Sequence, residues 1–120
     1  MTNFDAETVG MLRDMREVVI RTDKHPDSAV VIWVVVAEGE VFVRSVRGEK
    51  GRWYRDVAAG SPATLDLVGR QLPIRPIPAT DPISVNKVSR EYLRKYQSSS
   101  YAQEMVRADV LPTTLRLEPR

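Results

Sequence analysis

"AVVIWVVVAEGEVFVRS", residues 29–45, decides how this chain folds. Its first nine residues are apolar and mostly β-branched, and no polar residue alternates with them. β-Branched side chains are stiff at χ1 and suit a pleated surface, and a run without alternation is expected where both faces of a strand are covered. A membrane-spanning helix needs about 20 apolar residues, so this run reads as a strand. Glu38-Gly39-Glu40 supplies a tight turn, and "VFVRS" resumes the apolar pattern at once. Residues 29–46 therefore predict an antiparallel hairpin.

Working outward, residues 4 to 15 place Phe4, Val9, Leu12 and Met15 at loose helical spacing, and "REVVIRT" (16–22) reads as a strand. "DKHPD" (23–27) has the chemistry of a turn. Downstream, "GRWYRDVAA" (51–59) predicts a short helix closed by Gly60. "ATLDLV" (63–68) and "QLPIRPI" (71–77), joined at Gly69-Arg70, predict a second hairpin. Pro73 and Pro76 lack a backbone donor, which predicts an edge or bulged strand there. "TDPISVNKVSREYLRKY" (80–96) is the clearest helix, with Asp81 as its cap and Pro82 in its first turn. Val85, Val88, Tyr92 and Tyr96 share one face, which leaves Arg90, Arg94 and Lys95 for the solvated side. Ser100 and Gln103 have capping-box spacing for one more short helix, and "TTLRLEP" (113–119) alternates like a last strand. The sum is six strands with helices in the connections: a mainly β chain forming an antiparallel sheet or small barrel with peripheral helices.

The 120 residues suit a single domain, 1–120, with an N-terminal helix (1–15) ahead of the barrel (16–120). A hydrophobic share of 42% is enough for one core. The absence of cysteine excludes disulfides, thiolate nucleophiles and cysteine-ligated metal clusters. Residues 1–15 lack the basic-then-apolar pattern of a signal peptide, and the expectation is a soluble, cytoplasmic protein without membrane partners. Net charge is only +2, so the basic character is local.

That local charge lies in "RSVRGEKGRWYRD", residues 44–56, which holds Arg44, Arg47, Lys50, Arg52 and Arg55. The stretch leaves a strand and enters a helix, whose first N–H groups are unpaired and carry partial positive charge. Gly48 and Gly51 would let the backbone approach a ligand, Ser45 adds a hydroxyl, and arginine grips anions bidentately. This constellation suits a phosphate group. Trp53 and Tyr54 would either stack on a flat ring or anchor the helix in the core. A solvated basic loop beside a core tryptophan explains the same composition. Nucleic acid is disfavoured, because no further basic stripe accompanies the loop.

From about Arg16 to Arg120 the chain also resembles the flavin-binding split β-barrels, the pyridoxamine phosphate oxidase-like proteins and deazaflavin-dependent nitroreductases, and within them a small uncharacterised bacterial family. Four stretches in matching order carry the likeness: "VVIWVVVAEGEVFVRS", "RGEKGRWYRDVAAGSPATLDLVG", "LPIRPIPATDP" and "YLRKY" with the terminal "TTLRLEPR". The resemblance implies a homodimer of six-stranded antiparallel split barrels, with FMN or a deazaflavin near the dimer interface. Basic and small residues matching Arg44, Ser45, Arg47, Gly48 and Lys50 would hold the cofactor phosphate, with Gly51, Arg52, Trp53 and Tyr54 completing the site. The implied chemistry is hydride or electron transfer by the cofactor to a small organic substrate. The alternative is a non-enzymatic module on the same fold that binds an anion, a small ligand or a protein partner.

The remaining candidates are weaker. His25, the only histidine, lies between Asp23 and Asp27, but one imidazole and two loop carboxylates make a poor transition-metal site, and no metal is expected. Ser-His-Asp machinery, a Walker loop and a dinucleotide glycine fingerprint are all missing. Trp33, in mid-strand between apolar neighbours, suits the core or a dimer interface better than cofactor stacking.

Overall fold

The computed structural model describes residues 3–120; the first two residues of the expected N-terminal helix lie outside the described ones. Three α-helices, α1 (Ala6–Asp14), α2 (Arg52–Ala58) and α3 (Pro82–Lys95), accompany seven strands. The strands are β1 (Val18–Thr22), β2 (His25–Ile32), β3 (Val34–Ala37), β4 (Glu40–Val43), β5 (Ala63–Leu67), β6 (Arg70–Pro78) and β7 (Leu115–Pro119). They form one antiparallel half-barrel sheet in the order β2-β1-β5-β6-β7-β4-β3. Among the described residues no helix is long and apolar enough to cross a membrane.

The count is seven rather than the expected six because the predicted strand 29–37 is divided at Trp33. Ile32 pairs with Val18 at one edge of the sheet, while Val34 pairs with Val43 at the other. One continuous segment thus supplies both edge strands, and the sheet curls to bring them together. The hairpin is accordingly shorter than predicted, Val34–Ala37 against Glu40–Val43. The stretch "DKHPD" turns only at Asp23-Lys24, since His25 to Asp27 already belong to β2. Burial follows the division. Val34, Val36, Val41 and Val43 point into the main core, whereas Val35, Ala37 and Phe42 pack on the opposite face against Val88 and Tyr92 of α3 and Tyr96 at its C-cap. The unalternating apolar run is thus explained by a helix covering the outer face of β3. The β2 half is not covered in this way, and Val31 is 58% exposed.

β6 lies between β5 and β7, neither at an edge nor bulged, despite its prolines. The Arg120 N–H donates to the Pro73 carbonyl (3.0 Å), so Pro73 also turns its ring nitrogen toward β7, whose ladder ends one residue earlier at Ile74–Pro119. Pro76 turns the opposite way, toward β5, whose ladder with β6 ends at Ala63–Ile74. Pro76 therefore stands beyond the end of β5, and Pro73 faces only Arg120, one residue past the end of β7, so neither removes a hydrogen bond from within a ladder.

α3 begins as expected, with the Asp81 carboxylate accepting the Ser84 N–H (3.0 Å) and Pro82 at the first position. Ser100 and Gln103 do not start an α-helix; that segment is a short 3-10 helix, Ala102–Val106, without a side-chain cap. The last strand starts at Leu115, because Thr113 ends another 3-10 turn.

The division at Trp33 leaves backbone carbonyls without sheet partners, and α3 satisfies them. The Tyr92 hydroxyl donates to the Trp33 carbonyl (2.9 Å), and the Lys95 ammonium (2.7 Å) and Tyr96 hydroxyl (3.2 Å) donate to that of Val34. The Trp33 ring stacks on Tyr96 with centroids 4.0 Å apart. Lys95 is therefore not on the solvated side. Its ammonium also donates to the carbonyls of Leu12 (3.1 Å) and Met15 (2.7 Å), capping the C-terminal end of α1.

Burial lowers the Lys95 pKa to about 8. The folded chain thus holds this proton less tightly than the unfolded chain, where lysine titrates near roughly 10.4. Stability is then greatest above the unfolded value and falls as pH drops through the folded one. Thermal unfolding of the wild type and Lys95→Met should show the wild type gaining stability relative to the variant between pH of about 8 and about 10. At neutral pH the variant, which leaves three carbonyls without this donor, should be destabilised by about 1–3 kcal/mol.

Candidate functional site

β4 delivers Arg44 inward, not to the surface of the basic loop. The residue is 1% exposed. Its Nε donates to Thr114 Oγ1, one Nη to Ser89 Oγ and the Met105 carbonyl, and the other Nη to the Val85 carbonyl, all at 2.9 Å. The Tyr92 ring lies 5.6 Å from the guanidinium carbon. Arg44 thus ties β4 to α3, to the 3-10 helix and to the start of β7. Every acceptor is neutral, and burial lowers its pKa.

The loop after β4 closes on itself. Ser45 N–H donates to Thr113 Oγ1 (3.0 Å), Ser45 Oγ to the Gly48 carbonyl (2.8 Å), Gly48 N–H to the Ser45 carbonyl (2.9 Å), and Gly51 N–H to the Gly48 carbonyl (3.2 Å). The two glycines serve this packing. A Cβ on Gly51 would lie 2.5 Å from Ser45 Oγ, and one on Gly48, where φ is +67°, would lie 3.0 Å from the Asp109 carbonyl. Close approach is required here by the chain's own backbone, with Ser45, Gly48 and Gly51 all buried. α2, at seven residues, is a short helix following directly on this turn.

The outward side chains make the site. A groove of about 600 Å³ runs between the β2 end, the loop and the 3-10 helix Ala102–Val106. Of the sequence-predicted residues, Arg44, Ser45, Arg47, Gly51, Arg52 and Trp53 line it. Its apolar wall includes Val30, Ile32, Trp33, Val46 and Met105, with Tyr101 69% exposed at the rim. Such a volume matches ordinary small-ligand sites, about 300–1,000 Å³. The groove continues through Val46, Arg47 and Arg52 into a second concavity of about 510 Å³, to which Lys50, Arg55 and Arg107 contribute. Among the described residues, Arg47, Lys50, Arg52 and Arg55 have no carboxylate within ion-pairing distance. Arg107 is taken by Glu104 and Asp109. Gly48 and Tyr54 line neither cavity: Tyr54 packs edge-on against Trp53 and points its hydroxyl toward the Pro112 carbonyl.

Sequence reasoning missed the far wall. Tyr101, Met105 and Arg107 lie 45 or more residues beyond the basic stretch, in a segment whose 3-10 geometry carries no clean periodicity. Arg55 was visible in the basic run itself. His25 does not pair with Asp23 or Asp27. Its Nδ1 lies 2.6 Å from Asp56 of α2, which also accepts from Thr22 Oγ1 (2.7 Å). Burial would raise the Asp56 pKa, but those hydrogen bonds and the nearby positive charge hold it below the usual carboxylate value. No group of three or more metal-ligating side chains occurs among the described residues.

Gly51→Ala should destabilise the protein by about 1–3 kcal/mol in chemical denaturation, the usual range for overpacking. The double variant Gly51→Ala/Ser45→Ala removes the clashing oxygen and should be more stable than additivity of the single changes allows.

The fold is shared with a known structure. The chain superposes on the crystal structure of conserved hypothetical protein Rv2991 from Mycobacterium tuberculosis with a TM-score of 0.64 and 13% sequence identity, covering 95% of this chain and 78% of that one. No curated protein matches in sequence. Residues 5–117 match the family described as "Uncharacterized protein conserved in bacteria (DUF2255)", and the chain, with its curled antiparallel sheet, belongs to that family.

Proposed function

We propose that the groove binds a small ligand with a flat apolar body and an anionic tail, and that FMN or a related flavin is that ligand. One observation carries this reading: an apolar groove walled by Trp33 and Trp53 shares Val46, Arg47 and Arg52 with a concavity lined by four cations, Arg47, Lys50, Arg52 and Arg55, that no carboxylate pairs with among the described residues. The body would lie along the tryptophan-lined wall, and Arg47, Arg52, Lys50 and Arg55 would hold the phosphate. Neither Arg44 nor Ser45 would grip the phosphate: Ser45 closes the loop on Gly48, and Arg44 anchors the strand end ahead of the loop to Val85, Ser89, Met105 and Thr114. A bound flavin would supply hydride or electron transfer, and this chain would supply orientation, charge and exclusion of water. The resemblance to dimeric split barrels supports a homodimer, and the exposed apolar rim of Val31, Val46 and Tyr101 is consistent with further cover by a second copy.

A second reading, a binding module without turnover, is favoured by one feature. Two polar groups of the groove, Ser45 and Glu104, are already engaged: Ser45 donates to Gly48, and Glu104 pairs with Arg107. The two readings share the ligand site and differ only in whether a substrate follows.

Titration of FMN, of riboflavin and of a deazaflavin, followed by tryptophan fluorescence, tests the site. Arg47→Gln/Arg52→Gln should weaken FMN binding by roughly 10- to 150-fold, the equivalent of about 1.5–3 kcal/mol for a charge-assisted hydrogen bond, and leave riboflavin, which has no phosphate, unchanged. Failure of all three compounds to bind, or equal loss for FMN and riboflavin, would overturn the assignment of these arginines.

A further inference from the structure

Arg44 is a buried positive charge in the groove wall, and among the described residues no carboxylate pairs with it. Its residue lines the groove, its guanidinium bonds to the backbone of Met105 in the groove wall, and all four of its hydrogen bonds end on neutral oxygens. A guanidinium presents five N–H donors, so one remains beyond these four. No carboxylate lies within ion-pairing distance of it among the described residues. The charged side chains lining the groove are Arg44, Arg47, Arg52 and Glu104, and Glu104 is held by Arg107. Hydrogen bonds donated to neutral oxygens solvate a buried cation without removing its net charge, and in the low dielectric of a protein wall its field reaches further than it would through water.

We propose that the groove selects ligands whose flat body itself carries negative charge, such as an aromatic or conjugated carboxylate, sulfonate or enolate, because Arg44 supplies an uncompensated buried cation beneath its wall. This deepens the reading of the groove as a ligand site and rests on it. It concerns a second position of charge, separate from the anionic tail on the exposed cations. The two positions respond differently to salt. Exposed cations are screened, with a Debye length of about 10 Å at 0.1 M, whereas a buried charge acting through the wall is screened much less.

The test uses two dyes of similar shape, the anionic anilinonaphthalene sulfonate and the neutral phenylnaphthylamine. Both tryptophans of the chain line the groove, so energy transfer from them reports dye bound there. The sulfonate should bind about tenfold or more tightly than the neutral dye. That preference should survive about 0.5 M salt, and should survive in the Arg47→Gln/Lys50→Gln/Arg52→Gln/Arg55→Gln variant. Arg44→Met should abolish it. If that variant does not fold, the salt series and the four-fold variant still decide. Equal binding of the two dyes, or a preference lost with the exposed cations or with salt, would refute the role of Arg44 while leaving the FMN assignment standing. Binding of neither dye would refute the selection by Arg44, and the flavin titration decides separately whether the groove is a ligand site.

Discussion

The curl of this sheet depends on the break at Trp33. A strand that leaves one edge of a sheet and re-enters at the opposite edge must interrupt its ladder, and the interruption exposes carbonyls that a buried environment does not tolerate unpaired. Tyr92, Lys95 and Tyr96 satisfy them from α3, and the stacking of Trp33 on Tyr96 locks the helix over the break. Because Lys95 also caps α1, one side chain joins the N-terminal helix, the break and the last turn of α3. The groove lies beside this junction, with Trp33 as part of its wall. Its shape is set by the same contacts that curl the sheet.

The basic loop divides its charges between two tasks. Arg44 and the buried members of the turn hold the structure, with Arg44 linking β4 to three segments far apart in sequence. Arg47, Lys50, Arg52 and Arg55 stay outside, and among the described residues no carboxylate pairs with them. A buried guanidinium among neutral acceptors is a costly way to cross-link a core, since desolvation opposes it and no opposite charge compensates. That expense is physically intelligible where the same charge also acts on the adjoining groove.

Particular residues show how far the sequence could be read. The unbroken β-branched run announced strands covered on both sides; Val35, Ala37 and Phe42 under α3 bear that out for the second half of the run, while Val31 in β2, largely exposed, does not. Asp81 and Pro82 marked the start of α3 by local chemistry, which needs no tertiary partner. Lys95 was misread because helical periodicity places it beside solvated neighbours and says nothing of α1 packing close enough to use its ammonium. Pro73 and Pro76 were misread because a missing donor matters only where a neighbouring strand reaches it, and where the ladders end is a property of the sheet. The partner of His25 was not legible, because the fold and not sequence adjacency brings Asp56 to it.

By itself, the sequence determined the β-rich character, the hairpin turn at Glu38-Gly39, the extent of α3 and the presence of an unusually basic segment after β4, since each follows from local propensity, periodicity or charge. Tertiary structure decided which strands became edges, which cations remained free and which glycines faced the chain's own backbone. The physical reason is that hydrogen-bond satisfaction and burial are properties of pairs. Whether Arg44 meets a ligand, a carboxylate or four neutral oxygens depends on Val85, Ser89, Met105 and Thr114, residues 41 to 70 positions away.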